Sequence, residues 1–277
     1  TEVEVIKQAC QLSSLRYDGH KERTELQLMQ HATATAAILV SLHLDAEAIA
    51  AAILYATPRH IDNWQETLKA RFGDNIRNLV AGLMKIEQVQ TFSDFEKLNQ
   101  QDKSSSDQSH QIESLRKMLL AMVQDIRVVL IKLAERTQTL RSLSKASAHL
   151  QQKVAREIQG VYAPLANRLG VWQLKWEMED LSLRYLEPDL YKEVAKSLDA
   201  RRLDREQYIQ QVEQVLKEQL AAENIKADVA GRPKHIYSII NKMRRKHLTF
   251  EQLFDVRAVR ILVNSVEDCY SALSIVQ

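Results

Sequence analysis

The apolar residues of this chain recur mainly at the three- and four-residue spacing that is typical of amphipathic α-helices. Helical faces of this kind are predicted over residues 2–15, 22–44, 44–56, 116–140, 152–191, 190–220 and 266–276. The helix over 44–56 should end at Thr57-Pro58, because proline disfavours the helical conformation in the residue before it. The pattern therefore predicts a mainly α fold.

Alternation of apolar and polar residues appears only near the C-terminus. It predicts one strand over 225–229 and a second over 255–263, separated by a helix with an apolar stripe and by a short connector over 250–254. The turn Gly231-Arg232-Pro233 follows the first strand. We expect its glycine to relax φ and its proline to fix φ at a helix start. This order of a strand, a helix and a second strand predicts that the C-terminal region has a small α+β fold.

A second face of that helix carries polar residues at every fourth position. These are Lys234, Ser238, Lys242 and Lys246. Basic side chains near a helix N-terminus suit a polyphosphate, because unpaired backbone N–H groups add to their charge. Asp255 opens the second strand, and magnesium is often held by one carboxylate together with phosphate oxygens. The same spacing is equally typical of a solvated lysine face with a carboxylate at a strand edge.

Composition indicates an ordinary soluble chain of two medium-sized domains. Of its 277 residues, 45% are hydrophobic and 27% charged, and its net charge of +2 is too small to indicate a nucleic-acid partner. The basic run Arg244-Arg245-Lys246 is local. Cys10 and Cys269 lie far apart without zinc-site spacing, and the sequence has neither a secretory signal nor a membrane-length apolar run. We therefore expect a cytoplasmic protein without a membrane partner.

The segments GRPKHIYSI and LFDVRAVRI closely resemble the opening of the synthetase domain in the RelA/SpoT family of long alarmone enzymes. That resemblance implies transfer of pyrophosphate from ATP to the 3′-hydroxyl of GTP or GDP, which gives (p)ppGpp. It implies that Arg232 contacts the adenine or phosphates of ATP and that Lys234, Ser238 and Lys242 hold the phosphates. Asp255 would bind Mg²⁺. The predicted catalytic residues are Asp255, Arg232 and Lys234.

The segment HATATAAILVSLHLDAEAIAAAILYATPRH is similar to the helical HD hydrolase domain of the same family, which removes the 3′-pyrophosphate. His31 matches the family's first metal histidine. Tyr55-Ala56 stands where the family has its His-Asp pair, and Arg59-His60 where it has a Glu-Asp pair. A lone histidine in a helix is also typical of a packed side chain, so His31 by itself indicates no metal.

A third segment, KLAERTQTLRSL, resembles the family's KLADR segment. Glu135 stands where the last metal aspartate is expected, and Thr139 where an asparagine would contact the substrate. One histidine and one displaced carboxylate offer too few hard donors to offset dehydration of a metal ion. The sequence therefore predicts a pseudo-hydrolase without bound Mn²⁺, in which synthesis is retained and degradation is lost.

Three domains are expected on this basis. Residues 1–150 form an HD-like pseudo-hydrolase domain, and 151–195 a central helical linker bundle with Trp172, Trp176 and Tyr185 in its core. Residues 196–277 form the first part of a nucleotidyltransferase-like synthetase domain, and 90–111 a mobile loop. Two strands cannot close the five-stranded sheet of the family. We therefore expect a longer protein, whose further C-terminal domains would contact the ribosome and uncharged tRNA.

Three hypotheses of function follow. The first is a GTP or GDP pyrophosphokinase that uses ATP, in which these residues alone are inactive. The second is a regulatory or nucleotide-binding module without chemistry. The third, an active HD hydrolase, is disfavoured by Tyr55-Ala56.

Overall fold

The computed structural model of the chain describes residues 1–22, 24, 26–92, 125–200, 202–231, 235–253 and 258–277. These residues form two compact units, Thr1–Leu186 and Glu187–Gln277. The loop predicted over 90–111 lies outside the described residues from 93 onward. The predicted three-part division into family domains stays a prediction.

The N-terminal unit is built from helices. They are α1 (Glu2–Tyr17), α2 (Leu28–Ser41), α3 (Ala46–Ile53), α4 (Trp64–Phe92), α5 (Ile126–Ser142), α6 (Ala148–Glu157), α7 (Ala163–Arg168) and α8 (Trp172–Leu186). Single 3-10 turns lie at Thr57–Arg59 and Leu143–Lys145, and a π-helical turn at Ile158–Tyr162 joins α6 to α7. None of the helices in the described part of the chain has the length and apolar character needed to cross a membrane.

The core of this unit is organised around the alanine-rich helix α3. Residues 48–53 of α3 are all buried, and the helix packs against α1, α2, α4 and α5. Short side chains let these neighbours approach closely, so a helix of eight residues can occupy the centre of the bundle. Asp45 caps its N-terminus by accepting a hydrogen bond of 2.8 Å from the Ala48 N–H.

Two predicted helix boundaries are wrong. The helix predicted over 22–44 begins only at Leu28, because the preceding residues form a turn closed by a bridge between Lys21 and Gln27. In this turn the Glu22 N–H donates to the Leu26 carbonyl at 2.9 Å. The next helix ends at Ile53, before Thr57-Pro58, and the chain continues into a 3-10 turn.

Two glycines determine how α4 packs. Gly73 has a φ of +84°, a conformation that side-chain-bearing residues rarely adopt, and it kinks the helix there. Gly82 faces α5, where a Cβ atom would stand 2.8 Å from Cγ2 of Val128. The close approach of α4 to α5 at this point therefore requires the missing side chain.

The C-terminal unit combines helices with a two-stranded sheet. Its elements are α9 (Pro188–Ala200), α10 (Arg202–Ala222), β1 (Ala227–Gly231), α11 (Ile236–Lys246), β2 (Val259–Val263) and α12 (Val266–Val276), with a 3-10 turn at Phe250–Gln252. The strands are antiparallel, with Ala227 opposite Val263 and Gly231 opposite Val259. The buried apolar cluster of this unit consists of Leu216, Leu220, Val229 and Ala272. The predicted mainly α architecture with a small sheet near the C-terminus is confirmed.

We expect Gly82→Ala to destabilise the N-terminal unit by about 1 kcal/mol. Overpacking against the stiff Val128 side chain costs roughly 1–3 kcal/mol, and the better helix propensity of alanine returns about 1 kcal/mol. The three tryptophans, Trp64, Trp172 and Trp176, all lie in this unit, so urea unfolding followed by tryptophan fluorescence measures its stability.

The matched control is the same change in a Val128→Ala background. There the clash is absent, so Gly82→Ala should be neutral or stabilising by up to about 1 kcal/mol. Equal destabilisation in both backgrounds would contradict the proposed contact.

Candidate functional site

Three helical segments of the N-terminal unit converge on His31. This residue lies on α2 and is only 1% exposed. Its Nδ1 atom is 3.4 Å from the hydroxyl of Tyr55, which follows α3, and its Nε2 atom is 3.3 Å from the hydroxyl of Thr139 on α5. The fold thus brings together three residues that the sequence analysis selected at separate positions.

Glu135 extends this network toward two cations on its own helix. The Thr139 hydroxyl donates to Oε1 of Glu135 at 3.0 Å. Oε2 of Glu135 is 2.9 Å from the Lys132 ammonium and 3.1 Å from Nε of Arg136. Burial opposes ionisation of this carboxyl group, but the charges of Arg136 and Lys132 outweigh it and hold the pKa of Glu135 well below its usual value. The carboxylate is therefore ionised and already paired.

Burial favours the neutral form of the His31 imidazole. Burial lowers the pKa of His31, while the Glu135 and Glu22 carboxylates act in the opposite direction. A neutral imidazole carries a single N–H. It can therefore donate to only one of the two neighbouring hydroxyls. Since the Tyr55 and Thr139 hydroxyls give their single protons to Glu22 and Glu135, neither hydroxyl donates to the other ring nitrogen.

Tyr55 and Ala56 fill the position between α1 and α2. The Tyr55 hydroxyl donates to Oε1 of Glu22, and burial together with the Glu22 charge raises the pKa of Tyr55 far above its usual value. Its phenol is therefore protonated at neutral pH. Ala56 is fully buried, packs with Tyr17, and donates its N–H to the Tyr17 hydroxyl at 3.1 Å.

Arg59 and His60 make separate contacts nearby. The Arg59 guanidinium lies 5.7 Å over the Tyr55 ring, with Nη1 3.5 Å from Glu22 and Nη2 bonded to Glu87 of α4. The His60 ring lies 4.3 Å from that of His20. Arg59 is thus joined to the network through Tyr55 and Glu22, whereas His60 packs on the ring of His20.

This arrangement does not fit a divalent metal centre. Within the described ranges, no group of three or more His, Cys, Asp or Glu side chains is placed to hold a metal ion. His31 is the one predicted metal ligand retained; Glu135, at a degenerate position, is paired with Lys132 and Arg136, and the phenol of Tyr55 stays protonated. Hard cations such as Mg²⁺ need several oxygen ligands, which these residues do not supply.

Sequence reasoning missed four members of the network. They are Glu22, Glu87, Lys132 and Arg136. The spacing of Lys132 and Glu135, three residues apart on a predicted helix, is a signal that could have identified that pair. Glu22 and Glu87 come from distant segments without any periodic signal, so only the fold reveals them.

The residues predicted to bind ATP in the C-terminal unit are only partly described. Ser238 and Lys242 lie one helical turn apart on α11, and both are half-buried. Arg232, Lys234 and Asp255 lie outside the described residues, so their predicted roles stay predictions. The helix α11 begins at Ile236, with His235 at its N-cap.

The role expected for Gly231 is wrong. Among the described glycines, Gly231 is not one of those with a positive φ. Instead, a Cβ atom there would stand 2.5 Å from Cγ2 of Ile209 on α10, and its N–H donates to Oε1 of Glu213 on the same helix. Glycine is thus required for close contact between β1 and α10.

Two family models match separate parts of the chain. A model described as "HD domain" matches residues 9–172. A model described as "Region found in RelA / SpoT proteins" matches residues 231–277. The first match contains the His31 network, and the second contains Ser238 and Lys242.

Curated relatives align with most of this chain. The chain is 45% identical over 239 residues to a GTP pyrophosphokinase of Photobacterium angustum, and equally to one of Escherichia coli; each alignment covers 86% of this chain and 31% of the relative. It is 38% identical over 271 residues to a probable guanosine-3′,5′-bis(diphosphate) 3′-pyrophosphohydrolase of Synechocystis, covering 96% of this chain and 34% of the relative. The chain thus spans about a third of the length of these relatives.

We expect Glu135→Gln to destabilise the N-terminal unit by about 3–5 kcal/mol, because it leaves the buried Lys132 and Arg136 charges without their carboxylate. Urea unfolding followed by tryptophan fluorescence measures the loss. The control is Glu177→Gln, which removes an exposed partner of Arg141 and should cost at most about 1 kcal/mol. Similar losses in the two variants would show that the Glu135 cluster is not a buried, tightly paired site.

Proposed function

The chain belongs to the RelA/SpoT family, and we propose that it is part of a GTP pyrophosphokinase that transfers pyrophosphate from ATP to the 3′-hydroxyl of GTP or GDP. The observation that carries this proposal is the RelA/SpoT match over 231–277, where the sequence holds the basic residues selected for phosphate binding. Relatives at 45% identity that are named GTP pyrophosphokinase support the same reaction.

The proposed mechanism uses the basic residues before and along α11. Arg232 and Lys234 would bind the phosphates of ATP, and Ser238 and Lys242, one turn apart on one face of α11, would orient them. Their charge is most valuable where negative charge develops during in-line transfer. Asp255 would hold Mg²⁺, which supplies further charge stabilisation to the phosphates when bound. Because the chain spans about a third of the length of these relatives, the complete reaction is proposed for a protein of their length.

We further propose that the N-terminal unit has lost hydrolysis. The ionised Glu135, engaged by Lys132 and Arg136, supports this proposal, as does the neutral Tyr55 that contacts His31. These groups are engaged with one another, and a cationic Lys132 beside Glu135 disfavours a metal-bound nucleophile there. One relative is named as a probable hydrolase, so the proposed loss of activity would reside in this chain's own side chains.

A regulatory role for the N-terminal unit is the second candidate. A buried network of ion pairs and hydrogen bonds, such as the one around Glu135, suits a module that holds a conformation. Titration with guanine nucleotides distinguishes a binding module, which gives saturable heat, from a purely structural one.

In the full-length protein, Lys234→Ala should lower alarmone synthesis from ATP and GDP about a hundred- to a thousand-fold, since one such electrostatic contact is worth about 2.7–4 kcal/mol. Asp255→Asn should nearly abolish synthesis with the fold intact by circular dichroism. Lys246, at the exposed C-terminal end of α11, is the control, and Lys246→Ala should change synthesis little. Equal losses for the two lysine variants, or near-normal synthesis by Asp255→Asn, would refute the proposed site.

The N-terminal unit should release no pyrophosphate from (p)ppGpp with Mn²⁺ present. The double change Tyr55→His and Ala56→Asp should not restore hydrolysis, because Arg59, Glu135 and Thr139 would keep their present partners. The measurement is pyrophosphate release by the wild type, the double variant and a His31→Ala control. Wild-type release that disappears in His31→Ala would overturn the proposed loss of activity.

A further inference from the structure

Arg59 joins three segments that are distant in sequence. It lies in the 3-10 turn Thr57–Arg59, and its Nη1 atom is 3.5 Å from Oε1 of Glu22, in the turn that precedes α2. Its Nη2 atom bonds Oε1 of Glu87, toward the C-terminal end of α4. A planar guanidinium can hold two carboxylates at once in this way, whereas an ammonium group cannot do so with the same geometry.

The same guanidinium supports the residues that cover His31. Arg59 lies 5.7 Å over the Tyr55 ring, and the Tyr55 hydroxyl donates to the Glu22 oxygen that Arg59 contacts. Tyr55 in turn lies 3.4 Å from Nδ1 of His31. Movement of Glu22 away from Arg59 would therefore also remove the hydrogen-bond acceptor that holds Tyr55 in place.

The side chains that Arg59 joins are more exposed to solvent than the ion pair between Lys132 and Glu135. The side chains of Arg59, Glu87 and Glu22 are 41%, 39% and 19% exposed, whereas those of Lys132 and Glu135 are 9% and 11% exposed. Water competes with exposed ion pairs, so contacts of this kind are weak enough to break reversibly. The buried pairs are not expected to open separately from the core.

We propose that Arg59 is a latch that couples the turn preceding α2 to the C-terminal end of α4. When the latch is closed, Glu22 and Glu87 are both held at the Arg59 guanidinium, which lies over the Tyr55 ring. When it opens, the two segments loosen together and Tyr55 is released. Arg59 thus acts as a positioning residue, through Glu22 and Glu87. This inference concerns the conformation of the N-terminal unit and does not depend on the proposed synthetase reaction.

Hydrogen exchange followed by mass spectrometry tests the coupling in both directions. In the turn, the Glu22 N–H bonds the Leu26 carbonyl and the Leu28 N–H bonds the His20 carbonyl, both at 2.9 Å, and these amides serve as reporters. Glu87→Gln should raise exchange in the turn about three- to fivefold, although Glu87 lies in α4. Glu22→Gln should raise exchange over residues 84–92 by a similar factor, because coupling between two sites is reciprocal.

Arg59→Gln should loosen both segments, and Arg59→Lys should restore at most one of them. The matched control is Arg141→Gln, which breaks an Arg–Glu contact of similar exposure to Glu177 elsewhere in the unit and should alter neither segment. The latch is refuted if each carboxylate variant loosens only its own segment. It is also refuted if Arg59→Gln raises exchange uniformly throughout the unit, since that result indicates general destabilisation.

Discussion

A carboxylate cannot remain ionised in a protein interior without close partners, and Glu135 imposes this constraint on the N-terminal unit. Its partners, Lys132 and Arg136, come from the same helix, so α5 carries a nearly self-contained ionic cluster into the core. Thr139, one turn further, connects the cluster to His31 on α2. The relative placement of α2 and α5 is therefore determined by polar contacts as well as by apolar packing.

Small side chains allow the surrounding helices to enclose this cluster. The alanines of α3 bring α1, α2 and α4 close to one another, and Gly82 lets α4 approach Val128 on α5. Larger residues at these points would separate the helices and admit water to the ion pairs. Buried charge and close packing thus depend on each other, because the ion pairs are strong only where water is excluded.

The chemistry available to the N-terminal unit depends on which hydrogen bonds and ion pairs its polar side chains already make. Where the resemblance predicts metal ligands, this chain has a phenol and a methyl group, Tyr55 and Ala56, which contact His31 and fill space beside Tyr17. Arg59 adds an exposed contact between otherwise distant segments. The polar side chains of this network are engaged mainly with one another, through ion pairs and hydrogen bonds.

The sequence by itself determined the helical class, the two C-terminal strands and the positions of His31, Glu135 and Thr139, because periodicity and local motifs are encoded within a few residues. It did not reveal that Leu28 begins α2, since the preceding turn depends on nonlocal contacts of Glu22. Only the tertiary structure decided that Gly231 is needed for contact with α10, and that Glu22, Tyr55, Arg59 and Glu87 meet. Contacts between segments that are distant in sequence leave no periodic signal, so they become visible only when the chain is folded.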